Sequence, residues 1–187
     1  MTKRTTVTYA SRCLALIVAS FLAVPGVEAA RLDEENVANI MPNELPSFAQ
    51  TRGAVAIVID AEEAKRVLDI KHKGDEYVAA LSASLLKSGA FSQVADRGDA
   101  DYLLEVIVTS VAMAGVAKIQ IDLNTTWRLT DLATRRAVWG DVVGSSAVTT
   151  AKEAFKGAKR AQLTQEGAFR ENIRLGLAQL AKAEIDN

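Results

Sequence analysis

Two stretches of alternating side chains, residues 117–130 and 136–148, are separated in the sequence only by residues 131–135. Alternation between apolar and polar side chains is typical of a β-strand with one buried face. The short connection predicts that the two strands pair as an antiparallel hairpin. Because a one-residue slip would turn every apolar side chain towards solvent, this pattern constrains the fold more than any other feature of the chain.

A loop that is symmetric about Ala133 would set the register of this hairpin. In that register Trp127 lies opposite Trp139, and Leu123 lies opposite Val143. The odd-numbered residues then form the face that packs on the core, and the even-numbered face is largely polar. We therefore expect one covered and one open face.

The rest of the chain predicts three further strands and two helices. The strands are expected at 54–59, 91–95 and 100–111. The strand at 54–59 has no polar interruption, so it should lie inside the sheet. We predict an α+β fold: a mainly antiparallel four- to five-stranded sheet with two helices packed on one face.

Both helices are predicted from an apolar stripe at helical spacing. The first should begin with Asp75 as its N-cap and end before Gly89, and the second should follow Lys159 and reach about Glu184. The residues expected to face the sheet are Tyr77, Val78, Leu81 and Leu85 in the first helix, and Phe169, Ile173, Leu177 and Leu180 in the second.

The N-terminal residues have the three-part pattern of a secretory signal peptide. Basic residues precede an apolar stretch at 13–24, Pro25 and Gly26 follow it, and small residues then allow cleavage after Ala29 or Ala30. The predicted organisation is a signal peptide at 1–29, an extended arm at 30–52 and a single α/β domain at 53–187. In the arm, the residues expected to anchor it are Leu45 and Phe48.

Export of this kind predicts a bacterial periplasmic protein without a transmembrane segment after processing. The single cysteine, Cys13, lies within the predicted signal and not in a lipobox, so we expect neither a disulfide nor a lipid anchor on sulfur. Loss of three basic residues and Glu28 with the signal would take the formal net charge from −1 to about −3. An acidic chain gives no reason to expect nucleic-acid binding.

Four residues of the hairpin are candidates for a ligand or partner surface. Trp127 and Trp139 could line a groove for a glycan or lipid, although a cross-strand core contact is the more usual role of such a pair. On the polar face, the predicted register places Arg128 opposite Val138 and Asn124 opposite Val142.

Catalytic constellations are not evident. His72 is the only histidine, and its Lys-His-Lys setting is typical of a solvated side chain. Asp60, Glu62 and Glu63 follow a strand and could serve a hydrolase, but they equally suit a turn and the first turn of a helix. We therefore expect no enzymatic activity, no cofactor and no metal.

A basic stretch precedes the last predicted helix. Lys152, Lys156, Lys159 and Arg160 could touch anionic lipid headgroups, but Glu153 interrupts them. We expect a solvated segment that leads into the helix.

Three segments of the chain occur in a recognisable order: LLKSGAFSQVA at 85–95, ADYLLEVIV at 100–108 and TWRLTDLATRRAVW at 126–139. They resemble segments of the ABC-type transport auxiliary component family of small envelope proteins, and the resemblance spans roughly 55–181. It implies an accessory subunit of a lipid-transport or envelope-assembly system. Many members are outer-membrane lipoproteins, and this chain departs from them by lacking the lipobox cysteine. The curli-assembly and TolB N-terminal domains are similar in their layout of helices over a mixed sheet.

These observations together predict a non-enzymatic periplasmic accessory protein of a cell-envelope assembly or lipid-transport system that binds an envelope protein. The alternative is a periplasmic carrier that holds a small lipid or glycan near the two tryptophans. Neither the partner nor the oligomeric state follows from the sequence.

Overall fold

The computed structural model describes residues 34–60 and 70–183. Among these residues three helices and five strands form an α+β fold, which confirms the predicted class. In chain order the elements are α1 (Glu34–Ile40), β1 (Arg52–Asp60), α2 (Ile70–Lys87), β2 (Phe91–Val94), β3 (Tyr102–Ala114), β4 (Lys118–Asp131), β5 (Arg136–Thr150) and α3 (Gly157–Lys182). The predicted signal at 1–29 lies outside the described residues, and so do the candidate carboxylates Glu62 and Glu63.

The five strands form one mixed sheet in the order β2-β1-β3-β4-β5. β1 runs parallel to both β2 and β3, whereas β4 is antiparallel to β3 and to β5. The prediction of a mainly antiparallel sheet is therefore wrong for this half of the sheet. The reason is that α2 lies between β1 and β2 in the chain, and a crossover helix lets two strands run in the same direction.

β1 pairs with a different strand along each half of its length. β2 pairs with it from Arg52 to Val55, and β3 pairs with it from Val55 to Asp60. Residues 95–101 lead the chain from one side of β1 to the other, held by bonds from Ala95 N–H to the Val55 carbonyl and from Asp101 N–H to that of Ala54. β1 thus lies inside the sheet, as predicted.

The hairpin of β4 and β5 has the predicted faces but not the predicted register. Trp127 lies opposite Asp141, not Trp139, and Trp139 lies opposite Leu129. The shift has two causes. The loop holds one residue more than a symmetric turn about Ala133, and an irregularity between Leu129 and Thr130 leaves Val138 without a partner. Because the shift is even, odd-numbered residues of β4 still face the core.

The loop itself is organised by Asp131, whose carboxylate accepts the backbone N–H of Thr134 at 2.7 Å and its hydroxyl at 2.9 Å. Arg135 then adopts a left-handed backbone conformation with φ 58°. These two hydrogen bonds lower the pKa of Asp131, backbone bond first, so the turn is held by an ionised side chain.

Helices α2 and α3 cover one face of the sheet, as predicted. The stripe predicted for α3 is buried in full, and the rings of Tyr77 and Phe169 lie 4.9 Å apart between the two helices. The start of α2 was predicted wrongly, because the helix begins at Ile70 and Asp75 lies within it rather than capping it.

The segment predicted as an extended arm contains a helix that the sequence did not predict, α1. α1 ends at Ile40, which is fully buried, and the Asn39 carbonyl accepts a hydrogen bond of 2.8 Å from Nε of Arg170 in α3. Leu45 and Phe48 pack against the core as predicted. The sequence hides this helix because Ile40 is its one buried residue and a seven-residue helix gains most of its stability from tertiary contacts.

Candidate protein-binding surface

Trp127 lies on the covered face of β4 and not on a surface. Its side chain is 0% exposed, and a Cβ atom at Gly176 of α3 would come within 2.5 Å of its ring. Glycine at this position lets the helix approach the indole directly. In this position Trp127 offers no face to a sugar ring or an acyl chain, so the structure does not favour the carrier interpretation.

The indole N–H of Trp127 belongs to a buried polar network centred on Asn172 of α3. The side-chain oxygen of Asn172 accepts hydrogen bonds from the Tyr77 hydroxyl at 2.9 Å, from the Thr125 hydroxyl at 3.1 Å and from the Trp127 indole at 3.3 Å. Its amide nitrogen donates to the Val143 carbonyl at 3.3 Å. The network therefore links α2, α3, β4 and β5 within the core, and sequence reasoning did not identify it.

The other three candidates do not form a surface with Trp127. Trp139 is half-buried at the margin of the core, opposite Leu129. Arg128 and Asn124 are exposed on the open face of β4, where they lie opposite Gly140 and Gly144 rather than the predicted valines. The structure does not bring the four residues together into one site.

Arg128 forms an ion pair across the open face with Glu105 of β3. Its Nη2 and Nε atoms lie 2.6 Å and 2.8 Å from the same carboxylate oxygen. The Arg128 side chain is 53% exposed, so water screens this pair and its contribution to stability is below about 1 kcal/mol.

A cleft with a volume of about 840 Å³ lies beside this pair. Charged side chains of both signs line it, and the two acidic ones already have partners. Glu105 holds Arg128, and Asp101 accepts the backbone N–H of Ala54 at 2.7 Å. Because of this contact, a Cβ atom at position 53 would lie 2.1 Å from the Asp101 carboxylate, which explains Gly53.

Asn124 stabilises an irregularity in the neighbouring strand. The pairing of β3 with β4 shifts between Val108 and Ser110, and the Asn124 amide donates a 2.9 Å hydrogen bond to the Ser110 hydroxyl there. The Asn124 carbonyl accepts a 3.1 Å bond from the Thr109 hydroxyl. Its role in this structure is therefore to hold the bulge in β3.

β5 forms the longer of the two outer edges of the described sheet. β5 runs for 15 residues, and within 34–60 and 70–183 no strand pairs with its outer side. Val142 is 61% exposed and Val148 is 40% exposed along it. The Asp141 carboxylate accepts the backbone N–H of Val142 at 2.7 Å, which occupies one donor of this strand.

The signal for this edge was present in the sequence, because β5 carries Gly140 and Gly144 among β-branched residues and has neither lysine nor proline. What the sequence could not show is that, among residues 34–60 and 70–183, no strand lies beyond β5 in the sheet. In the described part of the chain, no helix is both long enough and apolar enough to cross a bilayer.

No family model and no curated protein sequence matches this chain. Solved structures with a similar fold include a Xanthomonas campestris protein described as DUF330, which is 14% identical, with 75% of this chain and 92% of that chain covered and a TM-score of 0.52. A hypothetical protein from Chlamydia trachomatis is 10% identical, with 71% and 98% covered and a TM-score of 0.51. At these identities the likeness concerns the fold alone.

A minor lipoprotein from Acinetobacter baumannii is also similar, at 13% identity, with 71% of this chain and 92% of that chain covered. Its TM-score of 0.42 is too low to support an argument about this chain.

Proposed function

We propose that this protein is a non-enzymatic accessory protein of the bacterial envelope, located in the periplasm, that binds another envelope protein through the outer edge of β5. The observation that carries the proposal is the length of that edge. β5 offers 15 residues, whereas β2 at the other edge of the sheet has four.

An extended segment of a partner can add to such an edge as a further strand. Main-chain hydrogen bonds then supply affinity, and alternate side chains supply specificity. Val142 and Val148 would provide the apolar contacts of this interface. Natural proteins commonly protect long edges with lysine, proline or a bulge. In β5 the bulge at Val138 and the two charged residues, Arg136 and Asp141, all lie in the first six residues, so residues 142–150 carry none of these devices.

The state of the charged residues on the open face supports binding rather than catalysis. Asp101 and Glu105 each hold a structural partner, namely the Ala54 N–H group and Arg128. A general acid or base has to exchange its proton with a substrate, and these carboxylates are engaged elsewhere. The resemblance of the sequence to transport auxiliary components supports a role in lipid transport or envelope assembly.

Site-specific photocrosslinking tests the proposal in the bacterium that encodes the chain, with the chain exported by its own N-terminal segment. A photoreactive residue replaces Ser146, which is exposed on β5. We expect one adduct with a different protein. Val142→Lys should abolish it, because a charge on the edge opposes strand addition.

The matched control is Val58→Lys, which changes an exposed valine on β1, inside the sheet. This variant should keep the adduct. Equal yields from both lysine variants, or an adduct made only of two copies of this chain, would overturn the proposal.

A further inference from the structure

Two loops meet at the end of the sheet where β3, β4 and β5 place their termini Ala114, Lys118 and Thr150. The first loop, residues 115–117, joins β3 to β4, and the second, residues 151–156, joins β5 to α3. Lys118 and Thr150 are directly opposite each other in the sheet, which brings the loops side by side.

Arg160 of α3 fastens these loops together. Its side chain is buried, with Nη1 donating to the carbonyls of Ala154 at 2.8 Å and Phe155 at 2.5 Å, and Nη2 donating to that of Val116 at 3.0 Å. The first loop is also tight, because Gly115 has φ 92° and a Cβ atom there would lie 1.9 Å from the Lys118 carbonyl oxygen. Hydrogen bonds and a tight turn therefore fix the conformation of both loops.

Each loop presents one large apolar side chain to solvent. Phe155 is 92% exposed and Val116 is 83% exposed, the two highest values among large apolar residues of the described chain. A fully exposed phenylalanine forgoes about 2 kcal/mol of stabilisation that its burial would give. In the same loop the neighbouring Ala154 is buried. Among the described residues, no apolar surrounding covers these two side chains.

Four lysines lie in or beside the same two loops. Lys118, Lys152, Lys156 and Lys159 are all exposed in or beside the loops, and Glu153 is the only acidic residue between 151 and 160. The N–H and hydroxyl groups of Thr150 bind Glu153 at 2.7 Å and 2.8 Å and lower its pKa, so this carboxylate stays ionised and engaged within the loop. The two loops and their ends thus carry four lysines and one glutamate, which is bonded to Thr150, so this region is positive in a chain whose formal net charge is −1.

We propose that this basic tip, formed by Val116, Lys118, Lys152, Phe155, Lys156 and Lys159, docks the protein on the surface of an anionic lipid bilayer. Apolar side chains enter the boundary between headgroups and acyl chains, while lysines attract the anionic headgroups and keep their ammonium groups in water. Both the positive charge and the exposed apolar side chains of the tip are complementary to such a surface.

The shape of the tip favours a bilayer over an acidic protein. Protein interfaces bury their apolar anchors in preformed pockets within a rim that excludes water. Here two apolar side chains protrude from separate loops among long, flexible lysines, and a fluid surface adapts to that arrangement without a matching pocket. The proposal is independent of the β5 edge, because none of these residues lies on β5.

A local fluorescence measurement on the full chain tests the inference. The apolar stretch at 13–24 can enter a bilayer by itself, so an indole is introduced at the tip by Phe155→Trp and, as a matched control, on the sheet edge by Val142→Trp. Because Trp127 and Trp139 also emit, the spectrum of the parent chain with the same vesicles is subtracted from that of each variant. Vesicles of equal parts phosphatidylglycerol and phosphatidylcholine are compared with phosphatidylcholine alone. We expect a blue shift and quenching by brominated acyl chains only for Phe155→Trp and only with the anionic vesicles.

A second variant tests the role of the charges. Replacing Lys152, Lys156 and Lys159 with glutamine in the Phe155→Trp chain should weaken the vesicle affinity about a hundredfold, and raised salt should weaken the parent similarly. Lys87→Gln with Lys182→Gln, at exposed positions outside the tip, should leave the affinity unchanged. No blue shift at the tip, or equal shifts at the tip and the edge, would overturn the inference, and the first result would leave an acidic protein as the occupant.

Discussion

The two faces of β4 differ as sharply as any two regions of this molecule, although they are made by alternate residues of one strand. Trp127 lies under α3 with no exposed surface, and the next residue, Arg128, projects into solvent from the other face. On the covered face, packing and a satisfied polar network hold two helices to the sheet. On the open face, the ion pair between Arg128 and Glu105 is screened by water and contributes little to stability.

The difference follows from the access of water. A polar group on the covered face that lost its partner would cost about 1–3 kcal/mol, so three donors converge on the Asn172 oxygen. On the open face water replaces any lost partner. Substitutions on the two faces should therefore separate stability from binding.

The largest difference in stability is expected between Trp127→Ala and Arg128→Ala. Loss of the indole leaves a cavity under Gly176 and should lower the free energy of unfolding by about 4 kcal/mol. Loss of Arg128 should cost less than about 1 kcal/mol, because the pair with Glu105 is exposed. Urea unfolding of both variants measures this contrast. Similar losses of unfolding free energy in the two variants would contradict the difference between the covered and the open face.

Two asparagines provide a smaller contrast of the same kind. Asn172→Ala removes the acceptor of Tyr77, whereas the Trp127 indole keeps the Thr125 hydroxyl at 3.0 Å and Thr125 keeps the Val143 carbonyl at 3.3 Å. This variant should lower the free energy of unfolding by about 2 kcal/mol. Asn124→Ala removes an exposed contact with Ser110 and should cost less than about 0.5 kcal/mol. Thermal unfolding would contradict the contrast if the two melting temperatures fell together.

The smallest effect is a dependence on alkaline pH. Burial raises the pKa of Tyr77 above its ordinary value of 10.0, so the folded protein keeps this proton at a pH where the unfolded chain loses it. The stability from this group is complete below pH 10.0 and falls as the pH rises further, by up to about 1.4 kcal/mol per pH unit.

Tyr77→Phe removes this proton and isolates its effect. At neutral pH the variant should be less stable than the parent by about 1 kcal/mol, because it lacks the bond to Asn172. Above pH 10.0 the gap should narrow. Parallel stability curves in urea titrations from neutral to alkaline pH would contradict the assigned cause.

The faces of the hairpin could be read from the sequence, but its register could not. Alternation in 117–130 reports only which residues share a face, and a shift by an even number of residues preserves it. The register depends on the turn that Asp131 caps and on the bulge at Val138. Both are local hydrogen-bond choices that hydrophobic alternation does not encode.

The parallel pairs and α1 were beyond sequence reasoning for a different reason. Whether β2 and β3 run parallel to β1 depends on how α2 and residues 95–101 carry the chain, which is a matter of long-range packing. α1 is held by contacts such as that of Arg170 with the Asn39 carbonyl, 131 residues apart. A seven-residue helix has little stability without them.

Sequence alone determined the α+β class, the inward face of β4 and the buried stripe of α3, because periodicity records which side of an element avoids water. It also identified Arg128 and Asn124 as residues of a polar face. Only the tertiary structure decided that Trp127 is enclosed, that β5 is the last strand of the sheet in the described part of the chain, and that Phe155 and Val116 share one lysine-rich tip. Those properties arise where distant segments meet, and the pattern within a single segment carries no record of its neighbours.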